Sequence, residues 1–149
     1  MKIDRFLKLN SAAAVVISAR EIGRAFNGEF GNIGMTIDDC LILTSLYFEK
    51  DRSSRPSALA ATFKESKSNT SHIVSRLEAK RLVRRSSLVG DRRGSVITLT
   101  SQGEKLALKL IKIFDGIQKR LESANGGEQK TERLNLRIYQ IATLLTEQD

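Results

Sequence analysis

The chain has 149 residues, 40% hydrophobic and 28% charged, which is the balance of a globular protein long enough to bury a core without disulfides or metals. One Cys and one His exclude an intramolecular disulfide and a His-rich metal site, and a lone Cys fits a reducing, cytoplasmic setting. The net charge is +8, and residues 51–100 alone carry +7, with eleven basic residues against four acids, so a polyanionic partner is expected to meet the middle third of the chain.

The first segment, from Ile3 to about Asn27, is expected to be helical. Ile3, Phe6, Leu7, Ala14 and Ile17 recur near the helical period. Gly28, Gly31 and Gly34 are expected to break it. The longest apolar run, Ala12 to Ile17, is too short to cross a bilayer. The first five residues hold an acid and precede no apolar signal-peptide core, so no membrane or secretion role is expected. Thr36 and Asp39 have capping-box spacing and open a helix through about Phe48. Its middle is nearly apolar, which suits a central position. Asp51 to Ser54 is a polar linker.

Pro56 sits where a first helical turn accepts it, ahead of a short helix over Ala58–Phe63. A further helix opens at Ser66 and runs to about Lys80. Thr70, Ile73, Val74 and Leu77 form its inward stripe. Ser68, Asn69, Ser71, His72, Ser75 and Arg76 form the opposite face. Two strand-like runs follow, Leu82–Leu88 and Ser95–Thr100, around a charged, Gly-bounded tip at residues 89–94. Ser101 with Glu104 reads as another capping box. A long amphipathic helix then carries Leu106, Leu110, Ile113, Phe114, Ile117 and Leu121 on one stripe, and Gly126-Gly127 ends it. The last helix places Leu134, Ile138, Ile141 and Leu145 at spacings of 4, 3 and 4.

Two helices joined by a turn and followed by a basic two-stranded hairpin make a winged helix. An α-helix fits the major groove, and an arginine-bearing hairpin reaches the neighbouring minor groove. Lys67, Ser68, Asn69, Ser71, His72 and Arg76 are the candidate recognition residues, since all can hydrogen-bond to bases or phosphates and none is acidic. Arg84 and Arg85 alternate along a strand, so one faces outward to phosphate and the other is free to pair with Glu78. Catalysis finds little support: there is no second His, no Cys–His grouping and no Gly-rich phosphate loop. No metal and no cofactor is expected. Asp38 and Asp39 complement a helix dipole. They also flank Cys40 and raise its thiol pKa, which favours a buried structural Cys over a reactive one. The terminal helices are amphipathic beyond what one small core covers, so they need a partner, most simply a second copy of the chain.

From Pro56 to Leu106 the sequence resembles the multiple-antibiotic-resistance regulator (MarR) family of transcription factors. Ser57–Ala60 resembles the start of that family's helix–turn–helix, and Ser66–Glu78 its recognition helix. Leu82-Val83-Arg84-Arg85 resembles the strand into the wing. Asp91-Arg92-Arg93, then Leu99-Thr100-Ser101-Gln102-Gly103, resembles the Asp-x-Arg wing and the Leu-Thr-x-x-Gly junction. Two positions depart from the pattern. Arg81 stands where a glycine is usual, so it must take φ > 0 or the helix must end differently. Asp39 stands where glutamine is common.

The resemblance implies a mainly α fold with a small β-hairpin, a winged helix-turn-helix flanked by N- and C-terminal dimerisation helices. Residues 1–35 would be the N-terminal dimerisation helix and loop, 36–100 the DNA-binding lobe, and 101–149 the C-terminal dimerisation helices of one continuous domain. It implies a homodimer on a pseudo-palindromic duplex, with Ile3, Phe6, Leu7, Leu134, Ile138, Ile141 and Leu145 at the dimer interface. It also implies that Arg93 reaches the minor groove beside Arg92, while Asp91 organises the wing. A small-molecule or oxidative signal is implied as well, and Phe26, Phe30, Met35, Tyr47 and Phe48 are apolar candidates for its cleft, or ordinary core. The alternative is a low-specificity architectural DNA-binding or protein-interaction role.

Overall fold

The computed structural model describes residues 2–88 and 91–146, without the side chains of Lys8, Leu88 and residues 91–94. The chain divides into two compact units, Met1–Ala107 and Leu108–Asp149, and the boundary falls inside one long helix.

The first unit opens with α1 (Lys2–Leu9) and α2 (Ser11–Gly31). The single expected helix is in fact two. Asn10 separates them, because its side-chain oxygen accepts the Ala13 N–H at 2.9 Å and starts a new helix. Helix α2 runs on through Gly28, which costs a helix interior only about 1 kcal/mol. Next comes α3 (Ile37–Phe48), where the capping box is complete: Thr36 Oγ1 accepts the Asp39 N–H, and Asp39 Oδ2 accepts the Thr36 N–H. Its Leu43 and Leu46 are fully buried, so the nearly apolar helix is central as expected.

Residues 51–54 are more than a linker. A short 3-10 turn, Lys50–Arg52, leads into a two-residue strand β1 (Ser53–Ser54). After it come α4 (Pro56–Thr62), α5 (Lys67–Ala79), β2 (Val83–Leu88) and β3 (Asp91–Leu99). The sheet has three antiparallel strands in the order β1-β3-β2, so the expected hairpin gains a third strand. Ser53 pairs with Thr98 and Ser54 with Ile97, while Val83 faces Leu99 across the hairpin. Strand β3 begins at Asp91 rather than at Ser95, so the expected tip is largely strand, and the register shifts between Ser87 and Leu88. Leu59 of α4, Val74 and Leu77 of α5, Val83 and Ile97 complete the core with α3.

Helix α5 ends in a Schellman motif. Leu82 donates its N–H to the Leu77 carbonyl at 3.0 Å and Arg81 donates to Glu78 at 2.8 Å. This geometry forces Arg81 to φ +59°, the conformation that a glycine adopts freely. Arg81→Gly should therefore raise stability by about 1 kcal/mol, read as an increase of about 2–4 °C in the melting midpoint. A fall in the midpoint would mean that the Arg81 side chain contributes more than its backbone costs.

Helix α6 (Ser101–Asn125) is capped one residue earlier than expected. Thr100, not Ser101, is the cap: its Oγ1 accepts the Gly103 N–H at 3.0 Å, and Glu104 bonds the Thr100 carbonyl through its backbone. In the second unit the remainder of α6 leads to Gly126 and Gly127, at φ +83° and +111°, and then to α7 (Glu128–Thr146). Among the described residues no helix is long and apolar enough to cross a membrane.

Candidate nucleic-acid interface

The candidate site is built on α5, and three local devices place that helix. At its N-terminus Ser66 Oγ accepts the Asn69 N–H at 3.1 Å. Its inner stripe, Thr70, Ile73, Val74 and Leu77, is buried as the spacing predicts. Its C-terminus closes on Arg81 and Leu82. Thr100 lies across that closure: its backbone N–H reaches the Leu82 carbonyl at 3.0 Å and its hydroxyl donates to the Arg81 carbonyl at 2.7 Å. The Leu-Thr-x-x-Gly junction is thus a clasp between the end of α5 and the start of α6.

The outward face divides into committed and uncommitted groups. Lys67, Ser68, Asn69, Ser71, His72, Ser75 and Arg76 are all exposed. Arg76 is nonetheless held. Its Nε and Nη2 donate to Asp39 Oδ1 at 2.9 and 2.7 Å, and Nη2 also reaches Thr36 Oγ1 at 3.3 Å. Asp39 has no exposed surface, while the Arg76 side chain keeps 41%. Lys80 adds a longer contact, Nζ to Asp39 Oδ2 at 3.9 Å, and also donates to the Gly34 carbonyl. One carboxylate therefore caps α3 with one oxygen and grips α5 with the other. Removing Asp39 would leave Arg76 free to hydrate, so the cost falls at or below the low end for a broken buried ion pair. Asp39→Ala should destabilise by about 2 kcal/mol, and a change under a few tenths of a kcal/mol in denaturant melts would show that the grip contributes nothing.

The wing strand is tied to the same helix. Arg85 Nη2 donates to the Ser71 carbonyl at 3.0 Å and Ser75 Oγ at 2.7 Å. Its Nε lies 3.4 Å from Glu78 Oε2, and its backbone N–H donates to Glu78 Oε1 at 3.1 Å. Of the two alternating arginines, Arg85 is the one that pairs with Glu78, and Arg84 faces solvent. Asn69 is partly committed, since its Nδ2 donates to Glu65 Oε2 at 2.7 Å. Lys67, Ser68, His72 and Arg84 make no side-chain bond within the described residues, and neither does the Ser71 hydroxyl. Asp91, Arg92 and Arg93 lie on β3, and their side chains fall outside the described residues.

Other sequence candidates separate. Phe30 and Met35 are buried. Phe26 stacks on Phe30 with centroids 6.0 Å apart. Tyr47 is half-buried under Arg52, whose guanidinium carbon lies 3.9 Å from the ring centroid, and Phe48 is 73% exposed. The Cys40 side chain is buried, and its pKa is pushed up to about 12 by burial first and the Asp39 charge second. Such a thiol stays protonated, which suits a structural role. Asp38 is also raised, by burial, then by the charges of Glu65 and Asp39, with Arg76 pulling it down. Among the described residues no group of three potential metal ligands forms. Ile3 and Phe6 are exposed and Leu7 is half-buried, while Leu134, Ile138, Ile141 and Leu145 are exposed along one stripe of α7.

Glu65 and Asp39 were not in the sequence-derived site. Asp39 carries no local signal of Arg76, 37 residues away, since an acid at a helix start reads as a cap or a dipole complement, whereas Glu65 stands four residues before Asn69, a spacing that could have signalled the pair.

A profile of the MarR family matches residues 33–94. The fold is similar to that of AbsC, a MarR family transcriptional regulator from Streptomyces coelicolor, at 26% identity and a TM-score of 0.79, covering 93% of each chain. It is also similar to S. aureus MepR in its DNA complex, at 20% identity and a TM-score of 0.81, covering 93% of this chain and 99% of that one. BldR, a transcriptional regulator from Sulfolobus solfataricus, matches at 24% identity and a TM-score of 0.73, covering 96% and 98%. A search of curated protein sequences finds no match.

Proposed function

We propose that the chain, whose residues 33–94 match the MarR family profile, is a winged-helix transcription regulator of that family that binds a pseudo-palindromic operator as a homodimer, reading sequence with α5 and gaining affinity from the basic residues around it. In this reading it is a DNA-binding regulator rather than an enzyme. The observation that carries the finer reading is the outward face of α5: Lys67, Ser68, Ser71 and His72 are exposed, their side chains without a bond among the described residues, on a helix fixed at both ends. A rigid helix presenting free donors and acceptors is what direct readout in the major groove requires. Arg76 and Arg85 act in this reading as positioning residues, holding α5 against α3 and against the wing. Arg84 and Lys67 are left as phosphate contacts. The resemblance assigns the minor-groove contact to Arg93, with Arg92 beside it and Asp91 as organiser.

The dimer part of the reading is supported by the apolar residues left exposed on α1 and α7, since a folded chain that shows so much apolar surface has a use for it. An apolar effector, where one acts, would meet Phe26, Tyr47 or Phe48, the accessible members of the proposed cleft, rather than Phe30 or Met35. Selection from a random duplex pool tests the function. An inverted repeat with half-sites about one helical turn apart is the expected product. Strong binding with no enriched motif would instead mean an architectural protein.

A further inference from the structure

Glu65 stands at the threshold of the recognition helix, and its backbone is fixed on both sides. Helix α4 closes with Lys64 at φ +52°, and the Glu65 N–H donates to the Ala60 carbonyl at 2.9 Å. The next residue, Ser66, is the cap of α5. From that position Oε2 of Glu65 accepts a hydrogen from Asn69 Nδ2 at 2.7 Å. An ionised carboxylate only accepts, so it decides which way the Asn69 amide points. The NH2 group turns back toward Glu65, and Oδ1 turns away from it.

The charge of Glu65 is otherwise out of place. It lies in the most basic part of the chain, beside the helix that the proposed function turns toward DNA, and no Lys or Arg forms an ion pair with it among the described residues. It also adds to the repulsion felt by Asp38. Phosphate attraction alone would favour a neutral or basic residue there. Orientation of Asn69 is what the acid supplies in return.

We propose that Glu65 is a specificity-determining residue, which restricts the base opposite Asn69 to one that offers an exocyclic amine in the major groove, adenine or cytosine. The inference rests on the reading that α5 enters that groove. With Oδ1 outward, Asn69 accepts from adenine N6 or cytosine N4. Guanine O6 and thymine O4, which stand where those amines would be, are acceptors and would face an acceptor. The NH2 group has two hydrogens. When Glu65 takes the one on the side away from Oδ1, the other lies beside Oδ1 and donates to adenine N7. Adenine then gains a second bond, and cytosine does not. Without the carboxylate the amide turns over about its last torsion and meets keto groups with Nδ2.

The test compares wild type, Glu65→Gln and Asn69→Ala in selection from a random duplex pool. Glutamine keeps the volume but both donates and accepts, so it no longer enforces one amide orientation. Wild type should enrich one position per half-site in A or C, and Asn69→Ala should make that position indifferent. Glu65→Gln should lower the preference there about tenfold while leaving the other positions alone. If wild type gives a motif and Glu65→Gln keeps the same preference at that position, the inference fails and the DNA reading stands. A motif in which no position responds to Asn69→Ala overturns it too. If Glu65→Gln flattens every position, Glu65 only places the helix, and the inference is again overturned. If wild type enriches no motif, both readings fall together.

Discussion

Gly103→Ala should destabilise the protein by about 3 kcal/mol, the upper range for forcing atoms into a packed site. In an ordinary helix the same change stabilises, because alanine is the better helix former by about 1 kcal/mol. The sign reverses here for a geometric reason. A Cβ at position 103 would lie 2.0 Å from the Leu82 carbonyl oxygen, 3.0 Å from its carbon and 3.2 Å from Leu99 Cδ2. The first two are backbone atoms of the turn that ends α5, and that oxygen already accepts the Thr100 N–H. Relief requires moving the start of α6 away from the end of α5 and breaking the Thr100 clasp. The melting midpoint should fall by about 6–12 °C, and DNA affinity should fall with it. An unchanged or raised midpoint would mean that the two segments are not held this close.

Replacing both Ile138 and Ile141 by Asp should convert the proposed dimer to a monomer at micromolar concentration. The two side chains are 53% and 41% exposed on the single chain, so charges there cost the monomer little. Buried against a second copy, unpaired carboxylates cost several kcal/mol, which raises the dissociation constant by at least about a thousandfold. Light scattering should report half the mass, circular dichroism should report the same helix content, and operator affinity should collapse because two half-sites are no longer held together. A double variant that stays dimeric at this concentration would place the interface elsewhere.

How much of this was legible beforehand depends on how far apart the interacting residues lie. The Thr36–Asp39 cap, the Ser66 cap and the buried stripe of α5 are local patterns, and sequence spacing is enough to find them. The resemblance left two outcomes at Arg81, φ > 0 or a different helix end, and the structure takes the first, at +59°. The two-residue β1 was invisible, since Ser53 and Ser54 show no alternation and are strand only because β3 lies beside them. The cap of α6 was displaced by one residue because Thr100 and Ser101 are both hydroxyl residues. Only the contacts of Thr100 with Arg81 and Leu82 decide between them. Asn10 was missed because an amide within an apolar helical pattern gives a weak stop signal. Arg76 shows the limit most clearly. Its exposed position on α5 reads as a DNA contact, and nothing in its neighbourhood points to Asp39, 37 residues away. Specific polar pairs between elements are set by the fold, and the site is built of them.

Base readout by α5 is what the proposed function stands on. Its most direct test is the affinity of wild type and Asn69→Ala for the selected duplex and for random duplex across a salt titration. Asn69→Ala should lose about 1–3 kcal/mol per half-site on the selected duplex. It should lose little on random duplex and leave the slope of log affinity against log salt unchanged, since Asn69 is neutral and neutralises no phosphate. An equal loss on both duplexes would contradict base readout, because a residue that weakens all DNA alike carries no sequence information.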